Sequence, residues 1–193
     1  IVFLAAETII QIALPQLHVT WLCVTLLSVL YFIYCSEMWN QLDALTGLLN
    51  QNSYLNRTAE MRRSGEVLVV FDVDDFKQVN DRYGHVKGDI CLAEIAACIK
   101  KAYARHGYCY RTGGDEFCVL LRDGDREHAC ARDFVRRLDE RRKELDFLPT
   151  VSFGSAEISS ENVVTVKDRA DHNMYRYKKE RKAHRMSGDA GEE

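Results

Sequence analysis

The sequence predicts an α/β domain preceded by an N-terminal transmembrane helix region, and three observations carry that reading. Helix and strand signals run in the order helix, strand, helices, hairpin, helix, strand, helix over residues 43–185. Val67 to Asp72 is a continuous apolar run ending on a carboxylate, the pattern of a central buried strand. Ahead of the domain, Leu17 to Cys35 carries no charge beyond a proton His18 can take up.

The N-terminal segment comes first. Residues 1–40 hold two of the 29 acidic residues, Glu7 and Glu37, and none of the 26 basic ones. At about 1.5 Å per residue, 17–35 reaches roughly 28 Å, against about 30 Å for a bilayer core. Trp21 near one end, and Tyr34 and Trp39 near the other, suit an aromatic belt. A membrane span is expected, with a buried core helix as the alternative. No basic n-region or small-residue cleavage site marks a signal peptide. Residues 1–14 are apolar but include Glu7 and Gln11, and Pro15 follows. That piece reads as the end of a preceding membrane segment. A first residue of Ile rather than Met points to a fragment of a longer membrane protein, with a sensor segment upstream.

Ser36 to Leu49 is expected as a helical linker. Trp39, Leu42, Leu45 and Leu49 fall at helical spacing, and the stripe could pair with a second chain. Asn52 or Ser53 can cap a helix ending near Ser64-Gly65. After the buried strand, a loop and short helix run through Tyr83-Gly84. Asp89 to His106 reads as an amphipathic helix with Ile90, Ala93, Ile95, Ala97 and Ile99 on its apolar faces, stopped by Gly107. Next, Tyr108–Arg111 and Cys118–Leu121 are β-prone runs around Gly113-Gly-Asp-Glu-Phe117, a hairpin with acid at its tip. Glycine there permits φ > 0 and close approach of a ligand to the main chain. Asp123-Gly124-Asp125 caps a charged helix to about Leu145, and Phe147 to Glu157 is a strand. Thr165 with Asp168 fits a capping box opening the last helix. The tail 187–193 is small and acidic and expected to be disordered. Seven cysteines without a Cys-x-x-Cys pair argue against a disulfide framework or zinc site, and free thiols suit the cytosol.

Several residues are candidates for chemistry. Asp72 at a strand end is placed to meet a ligand outside the sheet, and Asp115 can approach it if the two strands are neighbours. Clustered carboxylates repel unless a cation joins them, and magnesium takes hard oxygen ligands with substrate phosphates. Taken alone, Asp72 and Asp74 read as turn residues at a strand end rather than as ligands. Asn80, with Asp81 and Gly84, looks like a loop whose amide either reads a base edge or bonds its own backbone. Asp89 would complement a helix N-terminus. Arg176, Lys178, Lys179, Arg181, Lys182 and Arg185 crowd one helix, as a solvated face or as a polyphosphate site. Residues 41–193 are nearly neutral overall and no aromatic platform accompanies the basic cluster, so nucleic acid is not expected as a partner.

Six ordered blocks carry a resemblance. They are Asp43-Ala-Leu-Thr-Gly-Leu-Leu-Asn50, Phe71-Asp-Val-Asp-Asp-Phe-Lys-Gln-Val-Asn-Asp81, Tyr83-Gly-His-Val-Lys-Gly-Asp89, Arg111-Thr-Gly-Gly-Asp-Glu-Phe117, Val151-Ser-Phe-Gly154, and Ala170-Asp-His-Asn-Met-Tyr175 leading to Lys178. Together they resemble the GGDEF family, the diguanylate cyclases, over about 43–182. The resemblance implies a fold like the nucleotide cyclases and the polymerase palm, with a mostly antiparallel sheet wrapped by helices. It implies condensation of two GTP into cyclic di-GMP with release of pyrophosphate, by a homodimer in signalling. Asp72, Asp115, Glu116 and the Val73 carbonyl would hold Mg²⁺, with Mn²⁺ as a substitute. Asp72, Asp115 and Glu116 would form the catalytic set, Glu116 assisting metal binding or removing the ribose 3′ proton. Asn80 and Asp89 would bond guanine. Gly113 and Gly114 would lie against the phosphates, and Phe76, Lys77, Lys178 and Lys182 would complete the substrate site. The catalytic domain would face the cytoplasm from the inner or plasma membrane. A catalytically silent GTP-sensing or dimerising module is the alternative, and a scaffold acting through the membrane helix is a third.

The chain also departs from the family. The product-inhibition motif RxxD would fall at 104 and 107, where this chain has Ala104 and Gly107. A tight product site of that kind is therefore not expected. Gln51 follows Asn50 where Arg is usual. The last helix reads Lys178-Lys-Glu-Arg-Lys182 where a Gly-Arg-Asn ending is usual, so Lys182 is an approximate phosphate ligand.

Overall fold

The computed structural model describes residues 9, 12, 19–39, 41–60, 65–158 and 163–189. The chain divides into two compact units, Ile1–Gln41 and Leu42–Glu193. In the first unit, helix α1 spans Val19–Trp39. Its described side chains show no buried stripe: Leu22, Leu26, Leu30, Phe32 and Ile33 are all exposed. Among the described residues, no helix is long and apolar enough to cross a membrane. The span expected at 17–35 is thus not shown by the described residues. Leu17 and His18 lie outside the described residues, and the described side chains of α1, Leu22 to Ser36, cover about 22 Å, short of a bilayer core of about 30 Å. Most of the expected membrane segment 1–14 also lies outside them.

The second unit opens with a correction. The linker 36–49 is helical only to Trp39; residues 41–50 form a bridged turn. Asp43 Oδ1 accepts from the Thr46 amide at 2.9 Å and from its hydroxyl at 2.6 Å. Gly47 turns the chain at φ 64°, and Leu42 and Leu49 pair across the loop. Asp and Thr side chains that bond nearby backbone compete with helix, and here they win over the leucine spacing. Helix α2 (Gln51–Glu60) is capped by Asn50, whose Oδ1 accepts from the Ser53 amide at 3.0 Å, rather than by Asn52 or Ser53. Residues 61–64, where its end was expected, lie outside the described residues.

Strands β1 (Glu66–Val73), β2 (Gly107–Arg111), β3 (Glu116–Leu121) and β4 (Val151–Ile158) form one antiparallel sheet in the order β2-β3-β1-β4. The palm-like α/β class is borne out. β1 lies between two strands and is covered on both faces, which is why its sequence is a continuous apolar run rather than an alternation. Val67, Val69, Phe71 and Val73 enter the core beneath helices α4 (His85–Tyr103) and α5 (Glu127–Glu144). Leu68 and Val70 enter a second core with Val166 and Ala170 of helix α6 (Val163–Asp189). Phe71 anchors the first core, with ring centroids of Phe134, Tyr103 and Phe153 at 5.2, 5.6 and 5.8 Å. Each fully buried large apolar side chain of this kind stabilises the fold by about 1.5–3 kcal/mol.

Helix boundaries differ from the sequence in instructive ways. Helix α3 (Phe76–Tyr83) takes in Asn80 and Asp81, which were expected in a loop, because buried Val79 and partly buried Phe76 hold one face of it on the core. Helix α4 starts at His85, so Asp89 stands one turn inside and does not sit at the helix N-terminus. Ile90 is exposed, and Cys91, Leu92, Ile95 and Ile99 face the core instead. Strand β4 begins at Val151 rather than Phe147, since a turn closes from Leu148 to Leu145 and Pro149 has no N–H for a ladder. Thr165 and Asp168 fall inside α6, whose start is fixed by Val166 and Ala170 packing on the sheet. The backbone of α6 is helical through Asp189, which takes in the first three residues of the tail expected at 187–193; residues 190–193 lie outside the described residues. All seven cysteines are free thiols. Burial pushes Cys91 up to about 11 and Cys109 up to about 12, so these behave as small core residues.

Gly154 of β4 lets α6 approach to contact: a Cβ there would stand 2.2 Å from the Met174 amide nitrogen and 2.5 Å from the Ala170 carbonyl oxygen. Neither backbone atom can yield alone. Gly154→Ala is expected to cost about 2–3 kcal/mol in denaturant unfolding. A loss of only a few tenths would show that α6 shifts freely on the sheet.

Candidate active site

The site is built where β1 ends. In register, Asp72 lies opposite Glu116 of β3 on one side and Ser152 of β4 on the other. The Val73 amide donates to the Asp115 carbonyl at 3.3 Å. The strand end that carries Asp72 and the turn that carries Asp115 and Glu116 are thus joined through the backbone. The turn itself closes by bonds from the Thr112 and Gly113 amides to the Glu116 carbonyl at 3.0 and 3.3 Å. Neither Gly113 nor Gly114 takes a left-handed backbone, so the expected φ > 0 is absent at the tip. Their use is space. The Glu116 side chain lies over Gly113, and nothing stands within 4 Å of where a Cβ on Gly114 would be. The tip is open to a bulky group.

Arg111, which sequence reasoning left without a role, braces this tip. Its guanidinium meets both Asp43 oxygens at 3.1 and 3.2 Å and donates to the Gly114 carbonyl at 2.7 Å. One planar fork therefore ties the entrance turn to the hairpin. Burial alone would raise the Asp43 carboxyl. Bonds from Thr46 and Arg111 outweigh it and hold the group below its ordinary 3.8.

Lys178 of α6 reaches Asp72 Oδ2 at 2.5 Å and stands 3.4 Å from Asp74 Oδ1. Burial pulls its ammonium down, but the bond and charge of Asp72, with Asp74, raise it above its ordinary value. Asp74, taken from sequence as at most a turn residue, is buried and clamped. Thr150 Oγ1 donates to its Oδ2 and Ser152 Oγ to its Oδ1, both at 2.7 Å. The alternation of Thr150 and Ser152 around Val151 was the available signal. Their partner, however, is far away in sequence. Asp75 next to it adopts φ 54°, ψ 30° at the head of α3, a left-handed turn that Asp tolerates better than most residues. Asp171 of α6, in the small cleft with Asp72 and Glu116, was also missed. Burial raises its carboxyl; Lys167 opposes this, and the charges of Asp168 and Asp72 add to it.

Asn80 and Asp89 come from adjacent helices. Gly88, next to Asp89, is where α4 meets the Asn80 side chain, whose Oδ1 stands 2.0 Å from an added Cβ. Phe76 is partly buried against the core, and Lys77 is exposed on α3. The side chain of Lys182 lies outside the described ones. At the first position of β2, Gly107 presses on β3: an added Cβ would meet the Leu120 carbonyl oxygen at 2.3 Å.

Among the described residues, no three His, Cys, Asp or Glu side chains stand together as a metal cage. The expected set of Asp72, Asp115 and Glu116 with the Val73 carbonyl is therefore not a preformed cluster. The donors are still hard oxygens of the kind magnesium selects, and that ion needs only one or two carboxylates when phosphates supply the rest. The ammonium seated on Asp72 and near Asp74 shows that this end of the sheet draws positive charge.

A family model described as "Diguanylate cyclase, GGDEF domain" matches residues 40–184, and the chain belongs to that family. Diguanylate cyclase DgcM of Escherichia coli (strain K12) is 32% identical over 145 residues, covering 70% of this chain and 35% of that protein. An uncharacterized signaling protein of Caulobacter vibrioides is 41% identical over 104 residues, covering 51% of this chain and 13% of that protein. The chain thus spans well under half the length of these relatives. Among solved structures, the coiled coil and GGDEF domain of DgcB from Caulobacter crescentus, in complex with c-di-GMP, superposes with a TM-score of 0.70. It is 25% identical, covering 83% of this chain and 93% of that one.

Two outcomes follow from this geometry. The folded Asp43 carboxyl lies below its unfolded value, so its contribution is present above pH 3.8 and lost as pH falls through the lowered value. Protection of the hairpin amides, taken relative to the intrinsic exchange rate at each pH, should therefore fall below about pH 3.8, and Asp43→Asn should show that reduced protection already at pH 7. Unchanged protection in the variant would mean that Arg111 does not brace the tip. Separately, Gly88→Ala should displace the Asn80 side chain, read as a shift of its amide resonances by nuclear magnetic resonance, with the helical circular dichroism retained.

Proposed function

We propose that the second unit is the catalytic domain of a diguanylate cyclase that condenses two GTP into cyclic di-GMP and two pyrophosphates. The observation that carries the reading is the β1–β3 register, which sets Asp72 opposite Glu116 with Val73 bonded to Asp115, in a chain of the GGDEF family. In each half-reaction a ribose 3′-oxygen forms a bond to the α-phosphorus of the other nucleotide. The bond from that phosphorus to pyrophosphate breaks, and the 3′ proton passes to Glu116. Asn80 and Asp89 hold the guanine edge, and the carboxylate of Asp89 accepts the N–H pair that distinguishes guanine from adenine. Phe76 lines the substrate site, where Lys77 at the head of α3, with Lys178 and Lys182 of α6, holds the β- and γ-phosphates. Gly113 and Gly114 let the hairpin lie along them. Asp72, Asp115, Glu116 and the Val73 carbonyl would hold Mg²⁺ or Mn²⁺, which supplies charge neutralisation for the transferring phosphoryl group.

One domain holds one GTP and the product is two-fold symmetric, so two copies face each other in a homodimer. The apolar surface of α1 supports anchoring to a membrane at 17–35, with the catalytic unit on the cytoplasmic side where GTP is found. An upstream sensor would act by changing how the two domains meet.

Incubation of the chain with GTP and Mg²⁺ should yield cyclic di-GMP. Asp115→Ala and Glu116→Gln should each lower turnover by at least about a thousandfold, about 4 kcal/mol of transition-state stabilisation. A wild-type chain that binds GTP and releases no cyclic di-GMP would leave the silent, GTP-sensing module as the reading.

A further inference from the structure

We infer that Lys178 is a displaceable counter-ion: it holds the metal-side carboxylate of Asp72 until a divalent cation takes its place, and Asp74 is the fixed anchor that keeps the released ammonium at the site. The inference rests on the proposed metal and phosphate roles and adds a coupling between them.

The two carboxylates are built differently. Asp74 is 8% exposed, and each of its oxygens accepts a hydroxyl at 2.7 Å, one from Thr150 and one from Ser152. Those hydroxyls come from β4, whose pairing with β1 fixes them. Asp74 cannot follow a ligand. Asp72 is held by register alone, and the bond on its carboxylate among the described residues comes from Lys178 at 2.5 Å. Both members of that pair keep about a quarter of their side-chain surface open to solvent. A hydrated ion can therefore reach Asp72 without unfolding anything.

The chemistry then forces a choice. An ammonium and a divalent cation compete for one carboxylate, because they repel each other at that range. Lysine is a point charge on a flexible four-carbon stem, so it can leave without distorting α6. Asp74 already stands 3.4 Å from Nζ and holds the ammonium locally once the bond to Asp72 breaks. In that position Lys178 is a cation looking for new oxygen partners, and the phosphates of an arriving nucleotide supply them. Metal alone must displace Lys178 against the attraction of Asp72. Metal arriving with a nucleotide does so while Lys178 gains the phosphates. Binding of the two is therefore cooperative, and by linkage each tightens the other by the same factor.

The test uses the whole chain and Mn²⁺ without nucleotide, followed by calorimetry or paramagnetic resonance. Lys178→Met removes the competitor and is expected to bind Mn²⁺ about tenfold more tightly than wild type. Lys178→Arg keeps the charge and should not. Asp72→Asn should abolish the site in every background. A non-reacting GTP analogue should tighten Mn²⁺ binding in wild type and do so several-fold less in Lys178→Met. Mn²⁺ affinity in Lys178→Met equal to or weaker than wild type would overturn the inference, as would Mn²⁺ binding that survives Asp72→Asn. Because these titrations need no turnover, a chain inactive on GTP can still confirm the counter-ion, and an active one can still refute it.

Discussion

Everything at the site depends on the pairing of β1 with β3. A strand register is set in steps of one residue, and a slip of one turns every side chain to the other face. With Val69 opposite Val119 and Phe71 opposite Phe117, the apolar residues of both strands enter the same core. The next step along the ladder places Asp72 opposite Glu116, on the face of β1 that also carries Leu68 and Val70. The hydrophobic pattern thus fixes the meeting of the acidic residues. No attraction between carboxylates is required, and their repulsion is overcome by packing on both sheet faces. Lys178 then supplies the charge balance.

The surrounding scaffold reads as a set of braces on that ladder. Arg111 fastens the hairpin to the entrance turn, and the bridge from Leu49 to Tyr110 runs beside it. Gly154 brings α6 close enough for Lys178 to reach Asp72. Gly88 lets α4 close on Asn80. Each brace is a short-range fit. Small changes there would move functional groups without disturbing the core.

The fold class, the buried strand and the acidic hairpin were legible in the sequence because their signals are local. Val67 to Asp72 is an apolar run, and Gly113 to Phe117 sits between β-prone segments. The entrance turn was not legible as such: Trp39, Leu42, Leu45 and Leu49 match a helix, and only the bonds of Asp43 to Thr46 reveal what overrides the match. Asn80 carried a turn residue's composition, yet Phe76 and Val79 draw its segment onto the core as helix. Asp74 was invisible as a functional neighbour because its partners, Thr150 and Ser152, lie 76 and 78 residues further along the chain. Arg111 was quoted as part of a block, and its double grip on Asp43 and Gly114 emerges only in three dimensions.

The tight seam at Gly107 has a consequence for how this chain could change over time. A feedback brake of the family's RxxD type needs an acidic side chain at that position, and the Leu120 carbonyl oxygen fills the space it would occupy. Exchanging Ala104 and Gly107 for arginine and aspartate would therefore not restore the brake. The edge of β2 would first have to part from β3, loosening the strand whose far end presents Glu116. Backbone geometry at this seam, beyond the identity of the two side chains, keeps such a motif out of this chain.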